Sequence, residues 1–249
     1  NIKFVVYVAF LKRIMKKICV IPARGGSKRI PKKNIIDFFG KPLIAWTIES
    51  ALKSDLFDDV IVSTDCDEIG DISKDFGATV FNRTEFADDI SPVSEATINT
   101  VTELNYSGND IIFQLMANCP LRTEEDILKA DDYFSNLESF DSLISCFKFG
   151  WMNPWWALRK TGNRYQPLHP GTNKVRSQDL DNLFCPTGSI WISKLQSLLK
   201  KNSFYTGNHT YYNIPITSAM DIDDFDDLNM AKAFFLTMHT NLDLNFESN

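Results

Sequence analysis

The sequence predicts an α/β fold in which helices cover both faces of a mostly parallel sheet. Short apolar, β-branched segments alternate four times with helical segments between residues 17 and 136. The apolar segments are continuous, as is typical of strands buried on both faces. The chain has 249 residues, of which 44% are hydrophobic and 23% charged, enough for one large domain. We therefore expect a Rossmann-like three-layer sandwich.

The first half of the chain contains the four strand–helix pairs. The predicted strands are KICVIPA, DDVIVSTD, ATVFNR and DIIFQLM. The predicted helices are KPLIAWTIESALKS, DEIGDISKDFG, SPVSEATINTVTEL and TEEDILKADDYFSN. Five residues mark the expected ends of these helices, since Pro suits a first helical position, Ser and Thr suit an N-cap and Gly ends a helix. They are Pro42 and Pro92 as first helical residues, Ser91 and Thr123 as caps and Gly77 as a C-terminal end.

The pattern changes after residue 140. DSLISCFKF, SIWIS and YYNIPI read as further strands, and DDFDDLNMAKAFFLTM reads as a closing helix. Between Phe147 and Phe184 the chain shows little periodicity, which indicates an insertion. We expect one domain over residues 15–240 with an inserted arm at about 147–184, followed by a C-terminal tail at 241–249.

Residues 1–14 need a separate interpretation. Their apolar core, Phe4 to Phe10 extended by Leu11, is too short for a bilayer, which takes roughly 20 residues. The segment also lacks the basic start and the cleavage site of a signal peptide. We expect an appendage outside the fold, with the domain starting near Met15. The alternative is a short interfacial anchor.

Charge and cysteine content exclude several classes of protein. A net charge of −6 and a pI of about 5.1 argue against nucleic-acid binding. The five cysteines form no CxxC pair, so neither a zinc site nor a disulfide framework is indicated. Scattered thiols suit a cytoplasmic protein, and membrane association is not expected.

The segment VIPARGGSKRIPKKN, residues 20–34, concentrates positive charge directly after the first strand. Its cations are Arg24, Lys28, Arg29, Lys32 and Lys33. In an open α/β sheet, ligands bind at the carboxyl ends of the strands. Neither G-x-G-x-x-G nor the P-loop motif is present. Such a loop can hold a triphosphate and stabilise a pyrophosphate leaving group. The alternative is a solvated basic turn.

An acidic cluster lies near the C-terminus. MDIDDFDDL holds five aspartates in seven residues, from Asp221 to Asp227. An EF-hand starting at Asp221 would need Gly and Glu where Asp226 and Lys232 stand. In a strand-like M-D-I-D, Asp221 and Asp223 face the same side and could hold Mg²⁺ together with phosphate oxygens and waters. The alternative is a helix start, where acids are favoured, and Asp224 fits that role.

The ordered motifs resemble those of one enzyme family. ARGGSKRIPKKN followed by FGKPLIAWTIESAL resembles the opening of the acylneuraminate (CMP-sialic acid or CMP-nonulosonate) cytidylyltransferases. VIVSTDCDEI, FNRTEFADD, CPLRTEEDI, RSQDLDNLFCPTGSIWI and AMDIDDFDDL fit in the same order. The resemblance covers the chain from Lys17 to about Met238. It implies a nucleotide-diphospho-sugar transferase type of sandwich with an inserted dimerisation arm, and a homodimer.

The reaction that the resemblance implies activates a sugar. The anomeric hydroxyl of a nine-carbon 2-keto acid attacks the α-phosphate of CTP, which gives the CMP-sugar and pyrophosphate. The implied catalytic residues are Arg24, Lys28 and Lys33. The implied CTP-binding residues are Arg24, Gly25, Ser27, Lys28, Asn34 and Arg83, and the metal ligands are Asp221 and Asp223, holding Mg²⁺.

On the acceptor side the chain departs from the family pattern. Arg176 would grip the sugar carboxylate and Gln178 its hydroxyls, with a surface arginine as the alternative for Arg176. LMANCPLR replaces the common LQPTSPLR, so Met116 stands in place of a glutamine on the sugar side. Asn118 and Cys119 replace Thr-Ser, and Thr187 stands where many members have Asn. Sialic, legionaminic, pseudaminic or another nonulosonic acid is therefore possible.

Two rival functions stay open on the sequence. One is a cytidylyltransferase for another keto-sugar acid, such as 3-deoxy-manno-octulosonate. The other is a nucleotide-binding regulator without turnover. The segment WMNPWWAL, residues 151–158, could be a stacking platform or part of the core or interface of the arm. The isolated His169, His209 and His239 receive no role, and the sequence identifies no general base.

Overall fold

The computed structural model describes residues 15–86, 92–137 and 139–239. The expected appendage (1–14), the expected cap Ser91 and the tail (241–249) lie outside these residues. Eleven strands lie within the described residues: β1 Lys17–Pro22, β2 Asp37–Phe38, β3 Lys41–Pro42, β4 Asp59–Thr64, β5 Thr79–Asn82, β6 Ile111–Gln114, β7 Ser142–Lys148, β8 Leu158–Thr161, β9 Arg164–Pro167, β10 Phe184–Lys194 and β11 His209–Asn213. The α-helices are α1 Leu43–Lys53, α2 Asp67–Asp75, α3 Val93–Glu103, α4 Glu124–Ser135, α5 Leu195–Lys201 and α6 Phe225–His239.

Seven strands form one mixed sheet in the order β11-β7-β10-β6-β1-β4-β5. Strands β1, β4, β5 and β6 are parallel neighbours, and β7 pairs in parallel with β11. Strand β10 runs antiparallel to both β6 and β7. The chain leaves β1 towards β4 and β5, then returns to the other side of β1 with β6. This reversal of strand order creates a switch point at the carboxyl ends of β1 and β6, where ligands bind in open α/β sheets.

Both faces of the sheet are buried, as the continuous apolar strands predict. In β1, Cys19 and Ile21 pack into a core cluster with α1, α2 and α4, whereas Ile18 and Val20 pack into a second cluster with α3 and α5. All four side chains are fully buried. The three-layer α/β sandwich is therefore confirmed, and the central strands position their carboxyl ends rigidly.

The structure confirms two of the boundary signals, Thr123 and Gly77, and corrects the other two that it describes. Thr123 caps α4 in a capping box with Asp126, and Gly77 follows α2 with a positive φ of 91°. Pro42 and Pro92 each precede their helix, because α1 and α3 begin one residue later. The predicted strand SIWIS is only part of β10, which spans eleven residues and is irregular between Pro186 and Trp191.

Most of the segment between β7 and β10 lies outside the seven-stranded sheet. It contains the β8–β9 hairpin and three single-turn 3-10 helices. Trp155 and Trp156 donate their indole N–H groups to the carbonyls of Asp181 and Thr172, which holds the arm together. Trp151 is 83% exposed. Within the described residues, none of the helices is both long and apolar enough to cross a membrane.

Candidate active site

A cavity of about 560 Å³ opens at the switch point of the sheet. This volume is typical of a small-molecule site. Five cationic side chains and two carboxylates line it: Arg24, Lys28, Arg29, Lys33, Arg83, Asp221 and Asp223. The remaining wall is formed by Pro22, Ser27, Ile30, Asn34, Phe86, Val93, Ala96, Met116, Ala117 and Asn118. The excess of positive charge in one concave place suits a polyanionic ligand.

The basic loop, residues 23–33, is held against the end of the neighbouring strand β4. Gly25 donates its backbone N–H to Asp65 Oδ1 at 2.9 Å, and Asn34 donates from Nδ2 to the Arg24 carbonyl at 3.0 Å. A Cβ built on Gly25 would lie 2.9 Å from the Cβ of Cys66. Only glycine therefore allows the loop to pack this close to Cys66. Packing thus explains a glycine at position 25, in addition to the predicted close approach of the loop backbone to a ligand.

The loop is also tied to the acidic segment, 190 residues further along the chain. Lys33 Nζ donates to Asp223 Oδ1 at 2.9 Å and to the Ile222 carbonyl at 2.7 Å. Arg29 Nη2 donates to Asp223 Oδ2 at 2.7 Å. Both carboxylate oxygens of Asp223 are thus satisfied by loop cations. The two charged segments that the sequence singled out form one site.

Apolar packing holds these two segments in place. Ile30 and Ile222, which are almost fully buried, join a third core cluster with Phe38, Leu43 and Leu228. Residues 220–223 do not form a strand, which corrects the strand-like prediction. The predicted alternation nevertheless holds, because Ile222 points into the core while Asp221 and Asp223 line the cavity.

The aspartates that follow have the structural role expected for Asp224. Asp224 Oδ1 accepts the backbone N–H of Asp227 at 3.0 Å, and Asp227 Oδ2 accepts that of Asp224 at 3.1 Å. These reciprocal bonds form a capping box at the start of α6. Asp227 Oδ2 also accepts the N–H of Asp223 at 2.9 Å. Capping of α6 therefore orients Asp223 as well.

Arg83, just after β5, also lines the cavity. Its Nη1 donates to the Ser63 carbonyl at 2.6 Å and lies 3.2 Å from Ser63 Oγ. The side chain is almost fully buried, and its Nε has no hydrogen-bond partner. Burial lowers the pKa of Arg83, and the nearby Arg24 lowers it further, while Asp65 raises it. Asp65 thus compensates part of the charge on this side and anchors Gly25.

The two cavity carboxylates differ in their titration. Burial, and then the neighbouring Asp223, raise the pKa of Asp221 to about 6. Burial also raises the pKa of Asp223, but hydrogen bonds from Lys33 and Arg29 outweigh it, so this pKa lies below its ordinary value. Asp223 is therefore the more strongly anionic of the two.

The acceptor-side residues lie elsewhere in the single chain. Arg176 is exposed and pairs with Asp179, with 2.8 Å between Nε and Oδ2. Gln178 is exposed in the same 3-10 turn. Among the described residues that line the cavity, none comes from the arm at 147–184. The structure thus brings the predicted triphosphate, nucleoside and metal residues together in one cavity, except Gly25, which lies in the same loop but does not line the cavity. It leaves the predicted sugar residues apart from them.

The residues fit a divalent cation only with help from a ligand. Within the described parts of the chain, no group of three or more His, Cys, Asp or Glu side chains could hold a metal ion. Asp221 and Asp223 supply two hard oxygen donors, and Mg²⁺ is commonly bound by one or two carboxylates plus substrate phosphates and waters. The positively charged side chains of Lys33 and Arg29 bind the Asp223 carboxylate. A positive charge is therefore favourable next to this carboxylate.

Several residues in the cavity wall or, like Asp65, beside the basic loop were not assigned to the site by sequence reasoning. Asp65 directly follows the buried β4, so a rule that inspects the residue after each parallel strand would have found it. Val93 and Ala96 carry no polar signal and reach the cavity because they lie on α3, and the apolar Phe86 lies in the loop after β5. Met116 and Asn118, noted in the sequence as departures from the family pattern, lie in the wall after β6.

A cavity with an excess of positive charge at the switch point of a mostly parallel sheet is typical of an α/β protein that takes a phosphorylated ligand. The chain belongs to the cytidylyltransferase family, whose sequence profile, described as Cytidylyltransferase, matches residues 18–234.

Individual relatives agree with this assignment. The chain is 33% identical over 231 residues to a pseudaminic acid cytidylyltransferase of Campylobacter jejuni subsp. jejuni serotype O:2, covering 90% of this chain and 98% of that protein. It is 32% identical over 217 residues to an N-acylneuraminate cytidylyltransferase of Streptococcus agalactiae serotype III, covering 86% of this chain and 52% of that protein. A solved CMP:2-keto-3-deoxy-manno-octonic acid synthetase complexed with CTP has the same fold, with a TM-score of 0.66 at 18% identity over 90% of this chain and 99% of that one.

The contact between Gly25 and Cys66 predicts unequal effects of two neighbouring substitutions. Gly25→Ala places its Cβ against the Cys66 side chain and should lower the free energy of unfolding by about 1–3 kcal/mol. Gly26→Ala is the matched control, because a Cβ there has nothing within 4 Å. It should cost less than about 0.5 kcal/mol. Urea denaturation measures both, and equal losses would contradict the close packing of the loop.

The raised pKa of Asp221 predicts a stabilising substitution. Because the pKa is higher in the folded than in the unfolded state, the contribution of Asp221 to stability is present at acid pH and is lost as the pH rises through about 6. Asp221→Asn should therefore raise the free energy of unfolding of the metal-free protein at about pH 7.5, on the order of 1–2 kcal/mol. It should also lessen the decline in stability that the unsubstituted chain shows between about pH 5 and pH 7.5. Urea unfolding at both pH values tests this, and a variant less stable than wild type at the higher pH would contradict it.

Proposed function

We propose that this chain transfers CMP from CTP to the anomeric hydroxyl of a nonulosonic acid and releases pyrophosphate. The observation that carries the proposal is the convergence of the basic loop, Arg83 and the two aspartates in one cavity of a cytidylyltransferase-family chain. In this reaction the anomeric oxygen forms a bond to the α-phosphorus. The bond from that phosphorus to the bridging oxygen of the β-phosphate breaks, and the hydroxyl proton leaves.

The side chains of the cavity divide the work by position. Arg24, Ser27, Lys28 and Lys33 would bind the triphosphate and neutralise the pyrophosphate as its charge grows. Gly25 allows the loop backbone to approach the ligand closely. Asn34, which holds the Arg24 carbonyl, and the buried Arg83 would bind the cytidine side.

Asp221 and Asp223 would hold Mg²⁺. When bound, the ion would screen the non-bridging phosphate oxygens from the incoming nucleophile. Asp223 would have to exchange at least one of its loop cations for the ion. The cation that is displaced, Lys33 or Arg29, lines the same cavity and could bind a phosphate oxygen instead. This exchange keeps the charge at Asp223 compensated at each stage.

Pseudaminic acid is the acceptor that we favour among the nonulosonic acids. The relative named for this sugar matches along 98% of its own length at 33% identity. Pseudaminic acid ends in a methyl group where N-acetylneuraminic acid ends in a hydroxymethyl group. The apolar Met116 side chain in the cavity wall suits the less polar sugar, since it cannot donate hydrogen bonds to hydroxyls. N-Acetylneuraminic acid is the second candidate, supported by the N-acylneuraminate cytidylyltransferase relatives.

We further propose a cytoplasmic homodimer paired through the arm. All five cysteines are free, which suits a reducing compartment. The arm and the strand that follows it expose several large apolar side chains: Trp151, Met152, Trp156, Leu158, Tyr165, Leu168, Val175 and Phe184. Large exposed apolar side chains concentrated in one segment are typical of interaction sites. If the arms pair, Arg176 and Gln178 would act at the sugar in the cavity of the partner.

The triphosphate role of the loop predicts a selective loss of activity. Lys28→Ala should lower kcat/KM for CTP at least about tenfold, or 1.4 kcal/mol, because Lys28 lines the cavity. Lys32→Ala removes the same charge from the same loop, but Lys32 pairs with Glu68 and does not line the cavity. It should cost less than about threefold. Pyrophosphate release is the measurement, and equal losses would show that only the net charge of the loop matters.

The acceptor assignment predicts an order of substrates. Pyrophosphate release should be fastest with pseudaminic acid, slower with N-acetylneuraminic acid and slowest with 3-deoxy-manno-octulosonate. Met116→Gln should shift the ratio of kcat/KM at least about tenfold towards N-acetylneuraminic acid, since a hydrogen-bonding side chain favours an acceptor with more hydroxyls. If N-acetylneuraminic acid reacted faster than pseudaminic acid, it would become the assigned acceptor. If the protein binds CTP but releases no pyrophosphate with any of these keto acids, it would be a non-catalytic nucleotide-binding protein.

The dimer proposal predicts a mass and a way to change it. Light scattering at micromolar concentration should give twice the chain mass of 28.4 kDa. Trp151→Asp places a charge on the most exposed of the arm tryptophans and should shift the protein towards the monomer. Leu104→Asp is the control, because Leu104 is exposed but lies at the end of α3, away from the arm. A monomeric wild-type protein would contradict the proposal.

A further inference from the structure

Met116 lies in the cavity wall just after β6, and its side chain packs directly against Gly188 in β10. A Cβ built on Gly188 would lie 2.7 Å from Cγ of Met116 and 3.6 Å from its Cβ. Carbon atoms in contact normally lie about 3.5–4.0 Å apart, so this position has no room for a side chain. Gly188 is not among the described residues that line the cavity, and it therefore meets that space through Met116.

This contact, and not an unusual backbone conformation, explains the glycine at position 188. Gly188 does not have the positive φ that favours glycine, so alanine could adopt its backbone conformation. The backbone on either side is held in place. Thr187 and Ser189 are buried and donate their side-chain hydroxyls, at 3.0 Å and 2.8 Å, to carbonyls of the segment 218–219. Strand β10 therefore cannot move away from Met116 without breaking these hydrogen bonds.

The backbone of Met116 is held in place as well. Its N–H donates to the Gly188 carbonyl at 3.3 Å. Its own carbonyl accepts from the Thr47 hydroxyl at 3.3 Å and from the Cys119 N–H at 3.4 Å. A group added at position 188 would therefore displace the Met116 side chain and leave both backbones where they are. The empty space that this side chain borders is the cavity.

We propose that Gly188 is a positioning residue that sets the space left for the acceptor. Its missing side chain allows the Met116 side chain to lie where it does, in the cavity wall. The inference rests on the proposed function, which supplies the acceptor and its place beside Met116. The side chains that would bind CTP belong to other elements, the basic loop and Arg83. A Met116 side chain pushed into the cavity should therefore hinder the acceptor more than CTP.

A merely structural role for Gly188 is the alternative, in which Gly188→Ala strains β10 whatever residue stands at position 116. Met116→Ala separates the two roles, because it removes the Cγ that the new Cβ would meet and leaves β10 unchanged. Gly188→Ala should then harm the wild-type chain but not the Met116→Ala background. Gly108→Ala is the matched control, because a Cβ there would lie 3.8 Å from the Cβ of Gln196, an ordinary contact distance.

The first measurement is pyrophosphate release by the full chain, with whichever of pseudaminic acid and N-acetylneuraminic acid the wild type uses faster. Gly188→Ala should lower kcat/KM for the acceptor at least about tenfold, mainly by raising KM, because the displaced side chain occupies binding space. The KM for CTP should change less than about threefold. In the Met116→Ala background, Gly188→Ala should lower kcat/KM less than about twofold. Gly108→Ala should match the wild type.

The second measurement needs no turnover. The chain has six methionines, whose methyl groups can be labelled with ¹³C and observed by NMR. The Met116 signal is identified by its absence in Met116→Ala. Gly188→Ala should shift this signal more than any other methionine signal, and Gly108→Ala should leave it unchanged.

The outcomes separate this inference from the proposed function. An unshifted Met116 signal, or equal losses of activity from Gly188→Ala with and without Met116, would overturn the positioning role. So would a Gly188→Ala substitution that prevents folding in the Met116→Ala background as well, which melting temperatures would reveal. A loss confined to CTP binding would overturn the assignment to the acceptor. A wild-type protein that turns over none of the keto acids would overturn the proposed function and the acceptor role with it, whereas a shifted Met116 signal would still confirm the contact.

Discussion

The site depends on the pairing of Asp223 with Lys33 and Arg29. This contact joins a loop near the start of the domain to a segment 190 residues further on. It brings the cations of the basic loop and the carboxylate of Asp223 together in one cavity. Both oxygens of Asp223 are used, so the carboxylate balances the loop charge while no ligand is bound. Because Arg29 is largely exposed, its pair with Asp223 adds little stability, and it can be exchanged at small cost.

The rest of the fold supports this pairing by fixing its two ends. The loop is held by Asp65 after β4 and by the packing of Ile30. The acidic segment is held by Ile222 in the same apolar cluster and by the capping box of α6. Since β1, β4 and β6 are parallel neighbours in the middle of the sheet, the residues that follow them meet at one edge. The cavity is therefore a consequence of strand order and needs no dedicated domain.

The two carboxylates of the site differ in pKa because their surroundings differ. Asp221 is buried beside Asp223, and its carboxylate is the harder of the two to ionise. Asn118 approaches it with a neutral amide, and Cys119 lies buried behind that amide. Asn118 and Arg83 both line the cavity, and each has one buried side-chain atom without a hydrogen-bond partner, Oδ1 and Nε respectively. A protein selected for stability alone would pair these atoms, so their presence is typical of a surface shaped for a ligand.

Local patterns in the sequence were enough for the strand–helix order, the caps at Thr123 and Gly77 and the two charged segments, because these depend on near neighbours in the chain. The predicted starts of α1 and α3, at Pro42 and Pro92, were one residue too early. A sequence alone does not distinguish the cap residue from the first helical residue. The tertiary structure alone decided that Asp223 faces Lys33, that Asp65 anchors Gly25 and that Asn118 meets Asp221. It also decided that Arg176 lies away from the cavity of its own chain. Contacts between residues 40 to 190 positions apart follow from strand order and helix packing, and no local periodicity carries that information.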